Sequence, residues 1–240
     1  MKLRAIVFDI YKTVLDVGPA PADRDARWSA LGRETFNVSP PGTLASFSAA
    51  CDQIIAREHA AARGVGIPFP EIFWPDIVAE VLPESRALPA AAREEFLFRQ
   101  QGLFRTVRLM PGAAEVLRAL PARGVRIGIA SNAQPYTLRE LEHALAEDGL
   151  TPALFNPDLC FWSFAHGFSK PDPHVFRLLT ARLRAHGVQP DATLMVGDRH
   201  DNDIAPARAQ GWRTWQLRDS DGDTAGGGWS QLGEFIASQT

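Results

Sequence analysis

An apolar run of strand length near the start of the chain ends on a carboxylate. Residues 3–8 are apolar apart from Arg4, Asp9 follows at once, and a turn and Thr13 come next. Open α/β sheets place their chemistry at the carboxyl ends of buried strands. Because burial raises the free energy of a charged carboxylate, Asp9 needs a metal ion, a lysine or hydrogen-bond donors nearby. Asp9 is therefore a candidate catalytic residue, and the alternative is that it only caps the following turn.

The segment from about residue 20 to residue 108 is predicted to be helical. It contains no strong β-run, and apolar residues recur three and four apart in residues 44–63, 72–82 and 90–104, with prolines between these stretches. This spacing is typical of a helical bundle. We expect the aromatic residues of the segment to form its core, namely Phe73, Trp74, Phe96 and Phe98.

From residue 110 onwards, strand and helix patterns alternate. The predicted strands are residues 125–130, 159–164, 193–196 and 213–217, and the predicted helices are residues 113–120, 137–147, 174–186, 203–210 and a short one from Trp229. Such alternation predicts an α/β fold with a parallel, doubly wound sheet.

Polar side chains follow four of the predicted strands. Asp9, Ser131, Lys170 and Asp198 each come directly after a strand or in the loop that follows it. Since right-handed crossovers bring the carboxyl ends of parallel strands to one edge, we expect these four residues to lie together. Two carboxylates suit Mg²⁺, a hydroxyl suits an anionic oxygen, and a lysine keeps a carboxylate ionised. The set is suited to nucleophilic attack on phosphorus with an aspartyl-phosphate intermediate.

Four motifs in this order resemble those of the haloacid dehalogenase superfamily of hydrolases. They are residues 9–13 (DIYKT), 131–132 (SN), 170–173 (KPDP) and 197–203 (GDRHDND). The resemblance implies a Rossmann-like core, residues 1–15 and 110–240, with an inserted all-helical cap domain, residues 16–109.

The resemblance also implies roles for individual residues and a Mg²⁺ cofactor. Asp9 would be the nucleophile, Ser131 and Lys170 would bind the transferred group, and Asp198 would ligate the metal, with Asp203 supporting it through water. The candidate catalytic residues are Asp9, Tyr11, Thr13, Ser131, Asn132 and Lys170, and the candidate metal ligands are Asp9, Tyr11, Asp198 and Asp203.

The residue two positions after Asp9 departs from the phosphatase pattern. Phosphatases of the superfamily carry a second Asp there as general acid and base, whereas this chain has Tyr11. A phenol, with an ordinary pKa near 10, is a poor proton donor and base at neutral pH. Its backbone carbonyl can still bind a metal. Tyr at this position resembles the 2-haloacid dehalogenases, which usually have Gly where this chain has Lys12 and lack the metal-binding Gly-Asp motif that this chain keeps.

Three functions remain open from the sequence. The first is Mg²⁺-dependent hydrolysis of a small phosphomonoester, and the second is hydrolytic release of halide from a small 2-haloacid. The third is a catalytically weak protein that binds a phosphorylated ligand. A dehalogenase would need a cation from the cap for the halide, with Arg24, Arg27, Arg33 and Arg57 as nominal candidates. Lys12 either helps to bind an anionic substrate or points to solvent.

Composition and charge limit the kinds of partner that this chain can bind. The net charge is −3 and the pI is about 6.1, so we expect no nucleic-acid partner. No window approaches the roughly 18 apolar residues of a membrane span, and the first apolar run is too short for a signal peptide. Cys51 and Cys160 fit no metal spacing and indicate free thiols in a reducing compartment. We therefore expect a cytoplasmic protein without a membrane partner. We also expect it to act, as a monomer or homodimer, on the small anionic substrate that its motifs indicate.

Residues 219–223 resemble the start of a calcium-binding loop. The twelfth position of that loop would be Ser230 and not Glu. We therefore expect a flexible, solvated loop there.

Overall fold

A six-stranded parallel sheet forms the centre of the computed structural model, which describes residues 2–38, 40, 42–218 and 226–239. The order of its strands is β5-β4-β1-β6-β7-β8, and a separate antiparallel pair is formed by β2 and β3. The strands are β1 (Ala5–Phe8), β2 (Leu15–Gly18), β3 (Thr106–Leu109), β4 (Arg126–Ser131), β5 (Cys160–Trp162), β6 (Thr193–Gly197), β7 (Arg213–Leu217) and β8 (Gly226–Gly227).

Helices cover both faces of this sheet. They are α1 (Arg24–Phe36), α2 (Leu44–Gly64), α3 (Trp74–Val81), α4 (Ala90–Gln101), α5 (Ala113–Ala119), α6 (Pro135–Glu147), α7 (Pro173–Ala185), α8 (Ala205–Ala209) and α9 (Trp229–Gln239). Apolar residues of α5, α6 and α9 share one core with one face of the sheet, and those of α7 and α8 share another with the opposite face. This is a Rossmann-like α/β fold, as the alternation of strands and helices predicted.

Strand β1 is apolar throughout because it is buried from both sides. Ile6 and Phe8 belong to the first core, and Ala5 and Val7 to the second, in keeping with the two-residue period of a strand. Ile6 lies opposite Ile127 of β4 and Leu194 of β6 in the parallel register. The central position of β1 carries Asp9 to the middle of the carboxyl edge.

The helical insertion lies between β2 and β3 and comprises α1–α4 with a short 3₁₀ helix, Pro83–Ala87. It has an apolar core of its own, which includes Trp28, Phe47 and Phe96. Leu15–Gly18 and Thr106–Leu109 pair antiparallel at its base. The expectation of no strand up to residue 108 was therefore wrong, because β3 has only four residues and its partner is distant in sequence.

Two of the four predicted core aromatics lie elsewhere. Phe73 is 42% exposed at the start of α3, with its ring 6.4 Å from that of Phe164. Phe98 packs outside the insertion's core, edge-on against His143 of α6 at 4.9 Å between ring centroids. Both predictions were wrong for the same reason: these rings contact residues outside the helical segment, Phe164 and His143, and do not enter that segment's core.

Two further expectations concern the predicted loop at residues 219–223 and the absence of a membrane span. Residues 219–223, interpreted as a solvated loop, lie outside the described residues. Among the residues that the structure describes, no helix is long and apolar enough to cross a bilayer.

Substitution of Gly128 tests the packing of β4 against the segment before β5. A Cβ atom on Gly128 would lie 2.5 Å from the carbonyl oxygen of Leu159 and 2.8 Å from its Cβ. Gly128→Ala should therefore lower the free energy of unfolding by about 1–3 kcal/mol, measured by urea denaturation. Gly64→Ala is the matched control, because no heavy atom lies within 4 Å of a Cβ at that exposed end of α2. The control should be neutral or more stable by up to about 1 kcal/mol; equal losses in both variants would contradict the packing argument.

Candidate active site

Asp9 lies at the carboxyl end of the central strand and is almost fully buried. Its backbone N–H continues the sheet by donating to the carbonyl of Val196, at 2.9 Å. The carboxylate Oδ1 accepts a hydrogen bond from Lys170 Nζ at 2.7 Å, and Oδ2 accepts one from Thr13 Oγ1 at 3.3 Å. With a side chain that is 12% exposed, Asp9 keeps a narrow opening to solvent.

Lys170 bridges two carboxylates in the interior. Its Nζ lies 2.7 Å from Asp9 Oδ1 and 2.6 Å from Asp203 Oδ1, and its side chain is 2% exposed. Burial opposes the ammonium charge, but the carboxylates of Asp203 and Asp9 outweigh it and raise the pKa of Lys170. The amine is therefore held in its charged form.

Asn132 fixes the loop that carries Lys170. The side-chain oxygen of Asn132 accepts from the Lys170 N–H at 2.7 Å, and its amide nitrogen donates to the Lys170 carbonyl at 2.9 Å. This paired contact ties the end of β4 to the segment before α7. Ser131, the buried last residue of β4, lies at the same edge, with its hydroxyl 3.5 Å from the Asn132 carbonyl.

Three carboxylates form a cluster at this edge. One oxygen each of Asp9, Asp198 and Asp203 lies within 4.8 Å of the others. The carboxylate of Asp203 also accepts from the Arg199 N–H at 3.1 Å, and burial raises the pKa of both Asp198 and Asp203. Such a set of hard oxygen donors fits Mg²⁺, which prefers carboxylate and carbonyl oxygens.

A glycine makes room for this cluster. A Cβ atom at Gly197 would lie 2.5 Å from Cγ of Asp203. Any larger residue at the end of β6 would therefore displace the Asp203 carboxylate from Lys170.

Tyr11 binds side chains of α6 and the residue before β3. Its hydroxyl donates to Glu140 Oε2, lies 2.7 Å from Thr137 Oγ1, and accepts from Arg105 Nη2 at 2.6 Å. The Arg105 guanidinium also lies over the Tyr11 ring, 4.3 Å from its centroid. Burial, and then the negative charge of Glu140, raise the pKa of the Tyr11 hydroxyl.

Sequence reasoning missed the arginine that lies beside Tyr11. All four arginines that the sequence offered as nominal halide-binding cations are exposed, namely Arg24, Arg27, Arg33 and Arg57. Arg27 pairs with Asp23 at 2.7 Å and Arg57 with Glu80 at 2.7 Å. Arg105 is 94 residues from Tyr11 in the chain, and no local motif marks it.

Lys12 is exposed in the loop after Asp9. Its φ angle is 59°, in the left-handed region that favours glycine, and its N–H donates to the Leu15 carbonyl at 2.6 Å. The charge of Lys12 still acts on Asp198, because it opposes the effect of burial on the pKa of that carboxyl.

With this geometry in place, comparison with known proteins decides the family. A family model described as haloacid dehalogenase-like hydrolase matches residues 3–211. The chain belongs to this family. The resemblance of the four motifs is thereby confirmed, and the protein is a hydrolase of the haloacid dehalogenase superfamily.

Relatives of known name include phosphatases. This hydrolase is 34% identical over 192 residues to a phosphoserine phosphatase of Thermus thermophilus. The aligned region covers 78% of this chain and 72% of the relative. It is 36% identical over 102 residues to a phosphoglycolate phosphatase of Rhodospirillum rubrum, covering 42% of this chain and 38% of the relative.

Solved structures share the fold over the whole chain. A 2-haloacid dehalogenase from Pseudomonas syringae is 22% identical with a TM-score of 0.60, and the match covers 99% of this chain and 100% of that chain. The hydrolase YfnB from Bacillus subtilis, solved with bound magnesium, is 18% identical with a TM-score of 0.53, and the match covers 98% of this chain and 99% of that chain.

Glu71 attaches the helical insertion to the loops of the active-site edge. Its carboxylate accepts from Ser163 Oγ at 2.6 Å and from Gln134 Nε2 at 3.0 Å. Its N–H donates to the Gly167 carbonyl at 3.0 Å. Burial raises the pKa of the Glu71 carboxyl, although the hydrogen bonds act in the opposite direction.

Replacement of Lys170 tests the buried ion cluster. Lys170→Met leaves Asp9 and Asp203 buried without their cation, so the free energy of unfolding should fall by about 3–5 kcal/mol at neutral pH. Urea denaturation in the presence of a chelator measures this change. Lys2→Met, at an exposed lysine, should stay within about 0.5 kcal/mol of the wild type. Similar stabilities for the two variants would show that the cluster does not depend on Lys170.

Replacement of Glu71 tests its raised pKa. In the window between the ordinary carboxyl pKa and the raised one, the folded protein binds a proton that the unfolded chain has released. The stability that Glu71 contributes therefore falls as pH rises through that window. Glu71→Gln removes this titration, so the stability of the variant relative to the wild type should rise as pH increases from the ordinary carboxyl range, about pH 4, towards neutrality. Urea denaturation across this range measures the difference, and a difference that does not change with pH would contradict the assignment.

Proposed function

We propose that this hydrolase cleaves small phosphomonoesters in a Mg²⁺-dependent reaction with Asp9 as the nucleophile. The observation that carries the proposal is the buried cluster of Asp9, Lys170 and Asp203, with Asp198 close by. A cluster of this kind suits an anionic phosphoryl group better than a neutral substrate, because it combines a metal-binding set with a charged amine. The phosphatases among its relatives support the same reaction class.

The residues that would hold the metal are those of the acidic cluster. Asp9 and Asp198 would supply carboxylate oxygens and Tyr11 its backbone carbonyl, while Asp203 would support the metal through water. Bound there, Mg²⁺ would neutralise charge on the phosphoryl oxygens.

The side chains around Asp9 divide the work of the reaction. The Asp9 carboxylate forms a bond to phosphorus while the ester P–O bond breaks, and water then attacks the aspartyl-phosphate at phosphorus to release phosphate. Lys170 and the Ser131 hydroxyl would bind the phosphoryl oxygens, and Lys170 keeps Asp9 ionised. Thr13 orients the Asp9 carboxylate through its hydrogen bond, and Asn132 holds Lys170 in place.

The insertion is proposed to act as a cap domain over this site. Residues 16–109 would form the cap, and residues 1–15 and 110–240 the core. The contacts of Glu71 with Ser163 and Gln134 support this assignment, because both partners lie in loops at the carboxyl edge of the sheet. A cap so close to that edge favours a small anionic substrate. The free thiols of Cys51 and Cys160 favour the cytoplasm, and a monomer or homodimer stays a prediction.

Tyr11 favours a second candidate, hydrolysis of a small 2-haloacid. In that reaction Asp9 would attack carbon and expel halide, a step that needs no acid. A dehalogenase needs a cation that binds the released halide, and the arginines of this chain do not favour such a site. The four candidates named from the sequence are exposed, and Arg105 is paired with Glu140 at 2.8 Å. The third possibility, a weak binding protein for a phosphorylated ligand, requires that neither reaction is detectable.

A panel of phosphomonoesters and 2-chloropropionate, assayed with Mg²⁺ and with chelator, separates these functions. We expect phosphate release that requires Mg²⁺ and that falls by at least about 10⁴-fold in Asp9→Asn, because the nucleophile is lost. Asp191→Asn, at an exposed position before β6, should keep wild-type activity. Halide release that resists the chelator, without phosphate release, would overturn the proposal in favour of the dehalogenase.

A further inference from the structure

We propose that this hydrolase selects phosphorylated substrates whose leaving group departs as a stable anion, namely aryl and enol phosphate monoesters and acyl phosphates. The inference rests on the proposed phosphatase function and narrows its substrate class. It follows from the hydrogen bonds of the Tyr11 hydroxyl and of the side chains that contact Asp9.

The protein itself fills the hydrogen-bonding capacity of the Tyr11 hydroxyl. A phenolic hydroxyl has one hydrogen to donate and two positions at which to accept. Its hydrogen goes to Glu140 Oε2, and it accepts from Arg105 Nη2 at 2.6 Å. Because that single hydrogen is used, the Thr137 hydroxyl, 2.7 Å away, must be the donor in its contact with Tyr11. No position is left for the oxygen of a departing alcohol.

The partners that hold the hydroxyl are themselves locked. Arg105 and Glu140 form an ion pair at 2.8 Å, and their side chains are 22% and 4% exposed. The Arg105 guanidinium also covers the Tyr11 ring. Turning the Tyr11 hydrogen towards a substrate would break a charge-assisted hydrogen bond to a buried carboxylate and leave Glu140 Oε2 with Arg105 as its donor, which is costly.

The donors that contact Asp9 are not free for the leaving group either. The Thr13 hydroxyl gives its one hydrogen to Asp9. The Lys170 ammonium donates to Asp9 and Asp203, and its third hydrogen is the one proposed above to bind a phosphoryl oxygen. The ester oxygen therefore leaves with the electron pair of the broken P–O bond and takes a proton from water afterwards. Asp9 supplies the electron pair of the new O–P bond, so the step is balanced without an acid from the protein.

A reaction of this kind discriminates between leaving groups. General acid catalysis contributes about 10²–10⁴-fold, and strongly basic alkoxides benefit from it most. Stable anions such as phenolates, enolates and carboxylates need little of this help. Alkyl esters such as phosphoserine should therefore be poor substrates, which would set this hydrolase apart from the phosphatase relatives named above.

A series of phosphomonoesters with leaving groups of graded basicity tests the proposal. It runs from 4-nitrophenyl phosphate through phenyl phosphate to an alkyl phosphate, and kcat/KM is measured because it reports the step in which the leaving group departs. The variants are Tyr11→Asp, which introduces an acid, and Tyr11→Asn, which has the same shape without one. Comparing the two cancels any effect of the cavity that the lost ring leaves.

For the wild type we expect kcat/KM to fall steeply as the leaving group becomes more basic. Tyr11→Asn should show the same slope, whatever its absolute rate. Tyr11→Asp should hydrolyse the alkyl phosphate about 10²–10⁴-fold better than Tyr11→Asn, relative to 4-nitrophenyl phosphate. If Tyr11→Asp does not fold, the slope of the wild type decides.

The opposing outcomes are distinct. Comparable kcat/KM for aryl and alkyl phosphates in the wild type would overturn the selectivity and leave the phosphatase function standing. Equal slopes for Tyr11→Asp and Tyr11→Asn would show that position 11 does not govern protonation of the leaving group, and would also overturn it. Failure to hydrolyse any phosphomonoester with Mg²⁺ would overturn both proposals.

Discussion

The ammonium group of Lys170, buried between two carboxylates, is the interaction on which the candidate site depends. Asp9 and Asp203 come from opposite ends of the chain, and without a cation between them their charges would repel across a medium of low polarity. The parallel sheet makes the arrangement possible, because β1 and β6 are neighbours and deliver their following residues to one edge. The two hydrogen bonds from Asn132 then hold the lysine-bearing loop in register with β4.

A second buried polar network joins the helical insertion to this edge. Arg105 stands where the chain leaves α4 and enters β3, and Glu140 belongs to α6. Between them they hold the side chain of Tyr11. The Tyr11 phenol thereby links these two side chains, at the position where the phosphatase motif of the superfamily has an aspartate.

Most of the fold could be predicted from the local pattern of apolar residues. The central strands are continuous apolar runs, and the residues after β1, β4 and β6 bear the polar groups that meet at the edge, so both sheet and cluster could be predicted. The antiparallel pair of β2 and β3 could not be predicted. Thr106–Leu109 is too short to show a period, and it is stabilised by pairing with Leu15–Gly18, some ninety residues earlier in the chain. The same distance hid Arg105, whose partners are 94 residues away in one direction and 35 in the other. Phe73 and Phe98 were misassigned because apolar spacing does not show which body a ring packs against, nor that a ring at the boundary between two bodies stays partly exposed, as Phe73 does.

The conformation of Lys12 restricts the shape of the loop that follows Asp9. A non-glycine residue at a φ angle of 59° is a local strain that costs about 1–3 kcal/mol and persists only where neighbouring contacts impose it. The contact here is the bond from its N–H to the carbonyl of Leu15, so the turn closes on the first residue of β2. Glycine would relieve the strain but would also allow the turn many more backbone shapes. Lysine thus costs folding free energy but restricts the turn to a single preferred shape, and this restriction limits the directions in which the neighbouring Asp9 side chain can point.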